Sequence, residues 1–131
     1  MRKSIQYFFD LAIKIAYSKN DGRSFRVGSI GIRKDGVIVG APNAPCPTPE
    51  RKAHAEYRVS SKLDYGATLY VARVLRQDGS AAIARPCPNC QRVLISKNVK
   101  KVYYTISPNE YGIWFPDGNV DSYYKINAND I

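Results

Sequence analysis

A chain of 131 residues is long enough for one domain around one core and too short for two. With 44% hydrophobic residues it is not a disordered chain, and no run approaches the about 18 apolar residues that a membrane-spanning helix needs. Lysine and arginine number 20 against 11 acids, and the net charge of +9 favours phosphate-bearing partners, whether a nucleotide or a nucleic acid strand. The basic residues are spread along the whole chain, from Arg2 to Lys125, so no basic arm stands out. The opening stretch, Met1 to Asp10, meets an acid before a signal-type apolar region can form, which points to a cytoplasmic protein.

Ile5, Phe8, Phe9, Ala12, Ile13 and Ala16 recur every three or four positions, which predicts an amphipathic helix over residues 4–17, closed by Asn20-Asp21-Gly22. Two short strands are expected at 26–32 and 37–40, joined through Lys34-Asp35-Gly36. Prolines at 42, 45, 47 and 49 make residues 41–49 a loop. It leads into a helix over 51–63, where Ala55, Val59 and Leu63 repeat every four residues and Tyr65-Gly66 supplies the stop.

Residues 67–75 read as a strand by their β-branched and aromatic content, followed by a turn at Asp78-Gly79-Ser80 and a return through 81–84. Pro86 and Pro88 mark the start of a further helix, because proline is tolerated in a first turn and not deeper. Cys87 and Cys90 then share a face of that turn, and Val93 and Leu94 turn toward the core. Strands follow at 101–106 and 111–115 as antiparallel partners. Residues 117–131 are polar, with Tyr123 and Tyr124, and their pattern assigns no element. The order is that of an α/β protein, a mixed sheet covered by helices.

The chemistry gathers in two strings, His54-Ala55-Glu56 and Pro86-Cys87-Pro88-Asn89-Cys90. One imidazole and two thiolates, from His54, Cys87 and Cys90, hold one zinc ion per chain and leave its fourth position open to water. Zinc-bound water falls to a pKa of about 7, and Glu56, two residues from a ligand and not itself one, is placed to move protons to and from it. Two other readings of the cysteines stay open. Cys46 would complete a closed structural Cys₃His site, the centre of a zinc-stabilised nucleic-acid-binding module without catalysis, in which Glu56 has no use. A redox Cys-x-x-Cys needs a thioredoxin-like βαβ setting and leaves His54 and Glu56 idle.

The string H-x-E followed by P-C-x-x-C is the signature of the zinc nucleobase deaminases, and over residues 5 to 115 the chain resembles the cytidine/deoxycytidylate deaminase superfamily. The resemblance implies a three-layer fold with a mixed five-stranded sheet flanked by helices, and a single zinc-dependent deaminase domain over 1–131. It implies Glu56 as the catalytic residue, Asn43 hydrogen-bonding the sugar eleven residues before His54, and Ala55 and Pro86 at the substrate. Ala67-Thr68-Leu69-Tyr70-Val71 is similar to the tRNA adenosine deaminases, whereas Cys90-Gln91-Arg92-Val93-Leu94 is closer to the free-nucleoside cytidine deaminases. The segment 72–85 is longer than in the former, and a hairpin over 102–115 suits the latter. With Cys46 alone, the second zinc of many deoxycytidylate deaminases has no ligand set. The expected activity is deamination of cytosine in a free nucleoside or nucleotide to the uracil product and ammonia, by a homo-oligomer without a membrane partner. Deamination of cytosine or adenine in single-stranded DNA or RNA is the alternative.

Overall fold

The computed structural model describes residues 5–17, 25–42, 66–75, 80–86 and 88–125. Its elements follow the predicted order. Helix α1 spans Ile5–Ala16, β1 Phe25–Ile32, β2 Ile38–Pro42, β3 Thr68–Leu75, β4 Ala81–Ala82, α2 Pro88–Ser96, β5 Lys101–Ser107, β6 Glu110–Phe115 and β7 Val120–Lys125. The helix expected over 51–63 and the turn at 78–79 lie outside the described residues. Among the described residues no helix is long and apolar enough to cross a membrane.

The strands form one sheet in the order β2-β1-β3-β5-β6-β7, with β4 paired to the end of β3. Among the described residues the sheet has seven strands, where five were expected: the return expected through 81–84 pairs as the two-residue β4, and β7 is an exposed, polar edge strand that no alternation of apolar residues announces. The β3–β5 pair is parallel, with α2 in the crossover between them, and the other pairs are antiparallel. The β1–β2 connection is built as the residues demand. Gly36 takes φ +91°, the Asp35 carboxylate accepts from the Val37 amide at 3.0 Å, and the Arg33 amide donates to the Val37 carbonyl at 2.9 Å.

Alternation along the strands splits the core into two faces. On one, Phe9 and Ala12 of α1 pack on Ile30, Tyr70, Ala72, Tyr103, Tyr111 and Ile113. The helix lies so close that a Cβ on Gly28 would overlap the Ala12 carbonyl oxygen, so only glycine fits there. On the other face Leu94 and Val99, from α2 and its exit, pack on Leu69, Val71, Val102, Tyr104 and Trp114. The result is the expected three layers, helix, sheet, helix.

Candidate metal centre

The cysteine motif is reached from β3 through a segment that the sheet holds at several points. The Leu75 amide donates to the Ser80 carbonyl at 2.9 Å, and β4 pairs Ala81 and Ala82 with Val74 and Arg73. Here β5 and β3 have parted, since their pairing ends at Val71 and Tyr104. The buried Thr105 fills the gap. Its hydroxyl donates to the Ala82 carbonyl at 2.7 Å and accepts from the Arg73 amide at 3.1 Å, while its carbonyl accepts from the Ala84 amide at 2.8 Å.

Residues 83–86 then run to α2 outside any strand, tied to β5 through the Ala84–Thr105 bond. Arg85 is fixed by a two-pronged bond to Asp121 on β7, Nε to Oδ2 and Nη2 to Oδ1, each 2.9 Å. The Tyr104 hydroxyl donates to the same Oδ2 at 2.6 Å. Hydrogen bonding to Arg85 is the main reason the Asp121 carboxyl lies below the ordinary carboxylate range, with the Tyr104 bond adding to it. The same bond to Asp121 raises Arg85, and burial first, then Asp121, raises the Tyr104 phenol, so the network stays cation, anion and neutral donor at any physiological pH. Behind it the Trp114 indole N–H donates to the Asn119 side-chain oxygen at 2.8 Å, and the Arg85 guanidinium stands 5.9 Å over the Trp114 ring.

Pro86 is buried, and its carbonyl accepts from the Gln91 side-chain amide at 2.7 Å, which ties the entry of α2 to its first turn. Cys90 lies in that turn, fully buried and in no disulfide. His54, Ala55, Glu56, Asn43, Cys46 and Cys87 lie outside the described residues. Accordingly, no group of three metal-binding side chains occurs among the described residues. The one donor described there fits a zinc site, being a thiol, buried, and on the first turn of the helix where the motif places it. A cavity of about 810 Å³, whose described lining includes Lys34, Gly66, Asn98, Lys100, Phe115 and Asp117, lies at the opposite end of the sheet from Cys90, where β3 and β5 begin.

Sequence reasoning missed Arg85, Tyr104, Thr105 and Asp121. One signal was available: Pro116-Asp117-Gly118-Asn119 is a turn sequence, and Gly118 and Asn119 do take φ of 87° and 54°. A turn directly after the 111–115 strand implies a returning β7.

Comparison with known proteins agrees with this arrangement. The family model of the cytidine and deoxycytidylate deaminase zinc-binding region matches residues 2–106. Among solved structures, the cytidine deaminase of Mycobacterium tuberculosis superposes with a TM-score of 0.51 at 21% identity, over 79% of this chain and 89% of that one, a likeness of fold. A point mutant of the same enzyme gives 0.49 at 20% identity over the same shares. A search of curated proteins gave no significant match. With the family model covering most of its length, the chain belongs to the family of zinc-binding cytidine and deoxycytidylate deaminases.

Proposed function

We propose that this protein, as one domain over 1–131, hydrolyses the exocyclic amino group of cytosine in a free nucleoside or nucleotide, releasing the uracil product and ammonia. The observation that carries the reading is Cys90 buried in the first turn of α2, directly after Pro86 and Cys87, in a chain whose family match spans both motif strings. His54, Cys87 and Cys90 would hold the metal. Zinc supplies, when bound, a water acidic enough to attack at neutral pH. Glu56 takes a proton from the attacking water, passes it to the ring nitrogen beside the amino carbon, and delivers another to the departing amine. Asn43 binds the sugar, with Ala55 and Pro86 beside the base.

A small substrate is favoured over a strand by where the tyrosines lie. Tyr103, Tyr104 and Tyr111 are 8%, 0% and 8% exposed and belong to the core, so they offer no ring for stacking bases; among the described residues the exposed tyrosines are Tyr7, Tyr17, Tyr123 and Tyr124. The protein is expected to act in the cytoplasm as a homo-oligomer. Ammonia release over cytidine, deoxycytidine, their monophosphates, adenosine and a short single strand tests the reading. Turnover of a free cytosine compound is the expected result. Deamination of the oligonucleotide alone, with binding that falls by a log-log salt slope of roughly −0.7 per phosphate contacted, would replace it with the strand-specific alternative.

A further inference from the structure

We propose that Arg85, Asp121 and Tyr104 are positioning residues for the zinc thiolates, a brace through which the C-terminal hairpin β6–β7 sets the path of the chain into Cys87. The inference rests on the reading of Cys87 and Cys90 as zinc ligands.

Three observations carry it. The first is place: Arg85 precedes Cys87 by two residues, and beyond the Ala84–Thr105 backbone bond its side chain ties that approach to β7. The second is construction. A lone exposed ion pair holds little, but this one is two-pronged, Asp121 is only 13% exposed, and the second lone pair of its Oδ2 is taken by Tyr104. Tyr104 reaches Asp121 because its ring crosses β6 at Gly112, its register partner, where any Cβ would collide with the ring. The glycine is therefore the gap through which a β5 side chain touches a β7 carboxylate. The third is origin. The family match ends at residue 106, and both Gly112 and Asp121 come after it, so the zinc-binding region is braced by strands that the matched region does not include.

Partners that orient a metal's ligands typically contribute about 10- to 100-fold in affinity, and a brace acting on the backbone beside a ligand belongs at the low end. The test is zinc release from the loaded protein to a colorimetric chelator, with kcat, KM and the melting curve of each variant. Asp121→Ala is expected to release zinc about tenfold faster and to lower kcat with KM held within about twofold. Arg85→Lys, which keeps the charge but loses the fork, should fall between it and the wild type. Should Asp121→Ala fail to melt cooperatively, Tyr104→Phe, which deletes one oxygen, carries the test with release about threefold faster. Zinc release within about twofold of wild type in the folded variants would overturn the brace. Full zinc retention in Cys90→Ser would instead overturn the ligand reading on which it rests, so the two failures are separable.

Discussion

The two faces of the sheet are built on different principles. Under α1 the chain stacks rings: Tyr70 on Tyr103 at 4.4 Å and 8°, Phe8 on Tyr70 at 4.9 Å, Tyr111 on Tyr124 at 5.3 Å, with Phe9 edge-on to Tyr70. Burial holds the Tyr70 phenol well above its ordinary value, so it stays neutral at physiological pH, and the Lys101 ammonium stands 5.1 Å over the Tyr103 ring. Under α2 an apolar centre is rimmed by directional polar contacts, with Asp121 gripping Arg85 and Tyr104, while at the sheet's own parting Thr105, the register partner of Tyr111, bridges β3, β4 and β5. Ring packing stabilises through area and tolerates small displacements. Hydrogen bonds of fixed length set the path of a backbone, and the face that uses them carries the cysteine motif.

The sharpest break between stability and chemistry is expected at Glu56, whose proposed role is to move protons. Glu56→Ala should lower kcat by about 10²–10⁴-fold, read by ammonia release, with zinc content and the melting curve unchanged. Activity within about threefold of wild type would remove Glu56 from the reaction.

The converse is Phe9→Ala on the α1 face. Phe9 is 1% exposed, and truncation should cost about 3–5 kcal/mol in urea unfolding while kcat/KM of the folded fraction stays within about twofold. A large loss of kcat/KM would show that the aromatic face also positions the site.

Thr105→Val sharpens the comparison at the polar bridge where β3 and β5 part, since shape is kept and only the hydroxyl is lost. It should cost about 1–3 kcal/mol, because the Ala82 carbonyl and the Arg73 amide lose their partner. No measurable change would mean that β4 is held by strand pairing alone.

The smallest effect is a pH dependence. In the folded protein Asp121 lies below the ordinary carboxylate value of about 3.9, mainly through its hydrogen bond to Arg85, whereas the unfolded chain regains that value. On acidification the unfolded chain binds the proton first. The stabilisation is therefore fully present above the unfolded value and is lost as pH falls through it toward the folded one. Asp121→Asn should flatten that part of the stability profile, and an unchanged acid limb would place the sensitivity in other carboxylates.

Much of the fold was legible because periodicity and turn chemistry are local. Helix α1 follows from its apolar stripe, the β1–β2 hairpin from Asp35-Gly36, and the start of α2 from Pro88. Strand β7 was not legible, because an edge strand with one neighbour has no need of buried residues and Val120–Lys125 offers none. The Arg85–Asp121 pair spans 36 positions and is created by strand order, which neither residue encodes. Of the site, the sequence offers the proposed ligand types and spacing, because zinc chemistry makes them recognisable, and of these only Cys90 lies among the described residues. The carboxylate that fixes the segment before Cys87 was not, because it depends on which strand becomes the last in the sheet.

The most direct test of the account is the zinc coordination of the wild-type protein by X-ray absorption. An open hydrolytic centre on His54, Cys87 and Cys90 predicts one zinc per chain with two sulfurs at about 2.3 Å and two lighter atoms, one from imidazole and one from water. Three sulfurs and a single imidazole nitrogen would instead identify a closed structural site completed by Cys46, and would contradict a deaminase.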